Sequence, residues 1–136
     1  MGMTVSQPRL THEGALALVQ AAIAKAEELD VPQCIAVTDE GGRLLAFVRM
    51  TGAKFLSIRT ARRKAMTAAS SRTETGGIPA EHAIELGLVT GGRLTNMKGG
   101  LPIVADGVVI GGIGVSSGTG EQDRQVAEAA VAAVSL

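Results

Sequence analysis

The sequence predicts an α+β layered domain, on three observations. Two stretches carry hairpin signatures, Cys34 to Met50 and Leu101 to Val115. Three stretches repeat apolar or small residues at three- and four-residue spacing, the period of an amphipathic helix. Their order is helix, hairpin, helix, irregular segment, hairpin, helix, and two hairpins built into one antiparallel sheet need helices to cover its faces.

The first helix follows Thr11, a plausible N-cap, and places Ala15, Leu18, Val19, Ala22, Ile23, Ala26 and Leu29 on one face as far as Asp30. Residues 1–10, with Pro8, are expected to form a loose arm. Pro32 stops the helix, and Cys34 to Thr38 reads as a strand returning through Asp39-Glu40-Gly41-Gly42 to Arg43–Met50. Gly52 breaks that strand, and helical spacing resumes from Lys54. On this second helix Ser57, Ala61, Lys64, Ala65 and Ala68 share one face, while Arg59, Arg62 and Arg63 lie around the others. Packed on a sheet, such a helix would let Lys64 snorkel to water.

Thr73 to Asn96 is glycine-rich, with a short helical piece over residues 80–85, and is expected to cover a pocket. Asp106-Gly107 is a type I′ turn dipeptide between the strands of the second hairpin. The last helix, Glu121 to Val134, should turn Val126, Ala129, Ala130, Ala133 and Val134 inward. Glu121 and Asp123 fall in its first turn, where carboxylates suit the dipole.

Composition narrows the function. The 136 residues hold 13 basic and 13 acidic side chains, no Trp or Tyr and two Phe, which argues against a nucleic-acid surface and removes the usual base-stacking groups. No apolar run approaches the ~20 residues needed to span a bilayer. One cysteine, Cys34, excludes an internal disulfide; with no charged-then-apolar leader at its start, the chain is expected to be cytoplasmic. Spacings for a zinc site, a GxSxG elbow, HExxH or a P-loop are missing.

The segments AVTDEGGRLLAFVRMTGA (36–53), Ser57 with KAMTA (64–68), and GGLPIVADGVVIGGIGVSSGTGEQD (99–123) resemble the GlcG/HbpS family, also found as the C-terminal domain of PduO-type proteins and called the haem-degrading domain family. The resemblance spans nearly the whole chain. It implies a single domain with a profilin-like antiparallel sheet, assembly into a homo-oligomer, and haem or a related tetrapyrrole as ligand. His12 and His82 are then the candidate axial ligands, and Met50, Met66 and Met97 offer thioethers.

Two chemistries stay open. One is ligand binding, with Arg49, Met50, Ser57, Lys64, Thr67, Thr75 and Gly100 as candidates; Arg49 could fork onto a carboxylate or pair with Asp39 or Glu40. The other is a cofactor-independent enzyme on a small carbonyl, amine or acid substrate, with Lys64 and Glu74 as acid–base or Schiff-base groups. The glycines Gly111, Gly112 and Gly114 should admit a helix or a neighbouring subunit close to the sheet.

Overall fold

The computed structural model describes residues 2–136, and Met1, the first residue of the expected arm, lies outside the described residues. Residues 2–11 form neither helix nor strand, although Leu10 is buried against the first helix's core. In chain order the elements are α1 His12–Glu28, β1 Cys34–Asp39, β2 Leu44–Arg49, α2 Ser57–Ser71, α3 Ala80–Val89, β3 Gly100–Ala105, β4 Val108–Ser116 and α4 Gly120–Ala133.

Local chemistry sets the boundaries. The Thr11 hydroxyl accepts from Gly14 N at 3.1 Å and starts α1. Asp39 Oδ1 accepts from the N–H groups of Gly41 and Arg43, closing the first hairpin. In the second hairpin Asp106 and Gly107 both have positive φ, 51° and 74°, the conformation a type I′ turn requires. Thr119 and Gln122 form a reciprocal capping box at the start of α4.

The four strands make one antiparallel sheet in the order β2-β1-β4-β3, so the two hairpins join through their inner strands. Cys34 pairs with Ser116 at one end of that seam and Asp39 with Gly111 at the other. Strand alternation sends Ile35, Val37, Ile113 and Val115 toward α1 and α4, where they build the main core with Leu18, Ala22, Val126 and Ala130. The opposite face presents Cys34 and Ala36 to α2, packed with Ala53, Ala61 and Ala65.

On that second face the contact is backbone to backbone. A Cβ on Gly114 would stand 2.0 Å from Ala61 O and 2.5 Å from Ala65 N, and one on Gly112 would stand 2.1 Å from Ala65 O. The expected close approach is therefore made by a helix of the same chain. It seats α2 deep enough for its one lysine to reach the far end of β4.

Several details differ from the sequence reading. Helix α2 begins at Ser57 because Gly52, at φ 93°, and the turn bonds from Ser57 N and Ile58 N occupy the residues before it. Helix α3 runs over ten residues rather than six and buries none of its side chains. Helix α4 buries Ala127, and Ala133 is exposed because the helix ends there instead of continuing over the sheet.

Candidate functional site

The small-residue face of α2 does not send Lys64 to water. Lys64 is 1% exposed, and its ammonium donates to Val115 O at 2.8 Å and to Asp123 Oδ2 at 2.9 Å. The other carboxylate oxygen of Asp123 accepts from Gly118 N at 3.0 Å. Snorkelling fails because Gly112 and Gly114 let the helix axis sink onto the sheet, leaving the side chain no route outward. Burial drives the ammonium below its ordinary pKa, and the hydrogen bond and charge of Asp123 partly restore it.

This ion pair floors a cavity of about 250 Å³ lined by Lys54, Ser57, Lys98, Ser116, Gly118 and Gly120, among others. Thr60 Oγ1 and Ser116 Oγ sit 2.6 Å apart in its wall, and Ser117 Oγ accepts from Lys54 N at 2.9 Å. Gly99 packs against the ion pair at φ 123°, where a Cβ would lie 3.0 Å from Lys64 Nζ and 2.5 Å from Val115 O. Only glycine meets both demands.

A second, larger depression of about 760 Å³ lies between α2, the first hairpin's turn and the segment after α3. Arg63, Met66, Thr67, Val89, Arg93 and Leu94 line it. Thr67 holds its wall together: its hydroxyl bonds Arg63 O at 2.8 Å and Arg93 O at 3.3 Å, and accepts from Thr95 N at 3.0 Å. Arg63 and Met66 also line an adjoining hollow of about 580 Å³ with Phe55, Leu56 and Ile58.

The structure brings some of the sequence candidates together and separates others. Lys64 and Ser57 share the smaller cavity; beside it Thr75 and Gly100 bond reciprocally, Thr75 N to Gly100 O and Gly100 N to Thr75 Oγ1. Glu74 does not line that cavity but pairs on the surface with Arg124, 3.1 Å away. Arg49 is exposed at the opposite end of the hairpin from Asp39 and Glu40, since β1–β2 register sets it against Cys34, so the ion pair with either carboxylate does not form. Met50 Sδ accepts from Gln33 N at 3.4 Å and packs on the core. His12 and His82 are both exposed. Among the described residues no group of three or more His, Cys, Asp and Glu is arranged to hold a metal.

Asp123 was legible only as a first-turn carboxylate, because its lysine partner is distant in sequence. Lys54, Lys98 and Arg93 carry no local signal at all. They become neighbours of these cavities only when four separate segments meet.

A four-stranded antiparallel sheet with α1 and α4 on one face, α2 sunk into glycines on the other and a buried Lys–Asp pair at its rim defines a small α+β class. The chain belongs to the family described as haem degrading protein HbpS-like, whose family model matches residues 10–132. It is 39% identical over 127 residues to a 15.0 kDa protein of the dhaT–dhaS intergenic region of Citrobacter freundii, covering 90% of this chain and 89% of that one. To Protein GlcG of Escherichia coli K12 it is 40% identical over 110 residues, 79% of this chain and 81% of the relative. Corrinoid adenosyltransferase PduO of C. freundii is 34% identical over 126 residues, 88% of this chain, but the chain spans only 37% of that relative's length. Among solved structures, a PduOC complex with haem superposes with TM-score 0.86 at 30% identity, covering 93% of this chain and 96% of that one. A double variant of HbpS from Streptomyces reticuli gives TM-score 0.87 at 31% identity, over 100% and 94%. Among the described residues no helix is long and apolar enough to cross a membrane.

Proposed function

We propose that this protein binds haem or a closely related tetrapyrrole in the groove between α2 and the segment following α3. The observation that carries the reading is the composition of that groove. Its volume of about 760 Å³ falls within the ~300–1,000 Å³ usual for cofactor-sized ligands. Val89 and Leu94 give it apolar walls, Arg63 and Arg93 offer two guanidinium forks, and Met66 adds a thioether, its Sδ 3.9 Å from Arg63 Nη1. The residues fit the group: planar guanidinium matches carboxylate in bidentate fashion, and a tetrapyrrole of this class carries two propionates. Bound haem would supply a redox-active iron, whose ligand and pocket polarity set its behaviour.

Within this reading Arg63 and Arg93 hold the propionate edge, and Thr67 fixes both by bonding their carbonyls. Met66 lines the groove and His12 and His82 do not, so Met66 is the ligand this reading favours. His12 belongs to α1 on the other side of the sheet, and neither histidine lines the groove. Lys64, held by two acceptors, is assigned the anchoring of α2 to β4 and α4 rather than proton transfer. The similarity to the PduOC–haem complex supports the ligand class.

We read the protein as a homo-oligomer as well. Phe55 and Leu56 are 70% and 75% exposed, and Ile84, Leu88 and Val89 are 76–77% exposed, an apolar area that monomers rarely leave open. The buried free thiol of Cys34 supports a cytoplasmic setting.

The test is a haemin titration of the purified apo-protein. Saturation near one haem per chain with a shifted Soret band is expected, the band moving further in Met66→Ala and affinity falling in Arg63→Ala/Arg93→Ala. Unsaturable binding, or a Soret band altered by His12→Ala or His82→Ala but not by Met66→Ala, overturns the groove assignment.

A further inference from the structure

We propose that the smaller cavity above the Lys64–Asp123 pair is a binding site for a short-chain carboxylate, separate from the groove assigned to the tetrapyrrole. The two share no lining residue. Four charged groups line the cavity: Lys54, Lys64, Lys98 and Asp123. Lys64 and Asp123 neutralise each other at 2.9 Å, while among the described residues Lys54 and Lys98 have no acidic partner within salt-bridge distance. The cavity therefore holds two uncompensated positive charges, which draw an anion.

Two buried polar groups beside it point the same way. Ser57 lines the cavity and is 8% exposed, and its hydroxyl has no hydrogen-bond partner among the described residues. Gln33 is fully buried with neither amide atom bonded, and its Nε2 lies 3.0 Å from where a Cβ of Gly118 would stand. A buried polar group left unpaired costs about 1–3 kcal/mol; Gln33 bears that cost behind Gly118, outside the cavity lining, while the Ser57 hydroxyl on the wall is free to donate to a ligand. Helix α4 starts here too, with Gly120 in the cavity lining and the aliphatic stem of Lys98 packed beside it, its Cβ 3.3 Å from where a Cβ of Gly120 would stand, so the positive end of the helix borders the same space.

Chemistry selects the anion class. Leu56 and Met97 line the same cavity as the lysines and hydroxyls. An inorganic oxyanion has no use for those apolar walls, whereas a carboxylate with a short apolar or hydroxylated tail meets both surfaces. At about 250 Å³ the space is smaller than the ~300–1,000 Å³ usual for drug-sized ligands, which suits a small acid better than a nucleotide or a long fatty acid.

The experiment follows backbone amide shifts of the full chain while sodium propionate, sodium lactate, sodium phosphate or sodium sulfate is added at constant ionic strength. Saturable shifts at Ser57–Thr60 and Gly118–Gln122 are expected with the carboxylates, at lower concentration than with phosphate or sulfate. Both lysines are exposed, so Lys54→Gln/Lys98→Gln will fold, and it should weaken carboxylate binding about tenfold or more. Ser57→Ala should weaken it by a smaller factor, and Lys25→Gln on α1 should leave it unchanged. Phosphate binding as tightly as every carboxylate would overturn the ligand class. Unsaturable shifts, or full affinity in the double lysine variant, would overturn the site.

Discussion

Lys64 Nζ and Asp123 Oδ2 stand 2.9 Å apart with side chains 1% and 3% exposed, joining the middle of α2 to the first turn of α4. Each half of the pair is uncompensated without the other. Lys64→Met or Asp123→Leu alone should lower stability by about 3–5 kcal/mol, because a buried charge is left unpaired. The double variant Lys64→Met/Asp123→Leu should recover most of that loss, read as urea midpoints for the four proteins. A double variant as unstable as the sum of the singles would mean that Lys64 contributes packing rather than charge.

Gly114→Ala should destabilise at the upper end of, or beyond, the roughly 1–3 kcal/mol that overpacking costs, because the added methyl would meet the α2 backbone at Ala61 O and Ala65 N. Backbone cannot rotate out of the way as a side chain can. Gly77→Ala is the matched control: nothing lies within 4 Å of its Cβ position, and its stability should stay within about 0.5 kcal/mol of the parent. Thermal unfolding of the two variants separates a packing demand from a general dislike of alanine.

Alkaline pH should act on the fold with two opposite signs. Burial raises the Cys34 thiol above its ordinary value, with Arg49 opposing weakly. Above about 8.5 the unfolded chain thus holds fewer protons at this site than the folded one, so stability falls as pH rises. Lys64 is shifted down, so between its folded value and about 10.4 the unfolded chain holds more protons and stability rises with pH. The stability advantage over Cys34→Ala should shrink between pH 8 and 10, and that over Lys64→Met should grow. Denaturant titrations at each pH give both differences.

In the homo-oligomer proposed above, charge on the exposed face of α3 should break assembly. Leu88→Asp or Ile84→Asp removes apolar surface from a helix that buries nothing within its own chain, so monomer stability should change by less than about 0.5 kcal/mol. Light scattering should show a smaller species. An unchanged mass would count against α3 as the interface of the proposed oligomer and turn attention to the exposed Phe55 and Leu56.

Elements with local causes were legible before any coordinates. Thr11, Pro32, Asp106-Gly107 and the alanine face of α2 each act within a few residues, and each element they specify formed, α2 three residues later than the spacing from Lys54 suggested. The length of α3 was not, because Ile84, Leu86 and Leu88 read as cover over a pocket while the helix stands with all side chains at least partly exposed. The candidate site was legible in part. Lys64 and Ser57 were marked by their oddity on a small-residue face. Asp123 followed a local rule only as a first-turn carboxylate, and neither its pairing with Lys64 nor the approach of Lys54 and Lys98 follows any, since their meeting depends on glycines in β4 deciding how far α2 sinks.

The seam between β1 and β4 has a kinetic consequence. Each hairpin closes over a short turn, but the pairing of Cys34–Asp39 with Gly111–Ser116 joins strands from opposite ends of the chain. Loop-closure entropy for the whole molecule thus falls on one inner ladder, and long-range pairing of this kind slows folding. Until it forms, both inner strands carry open hydrogen-bonding edges rich in Val, Ile and Gly, the moment at which one chain can mispair with another.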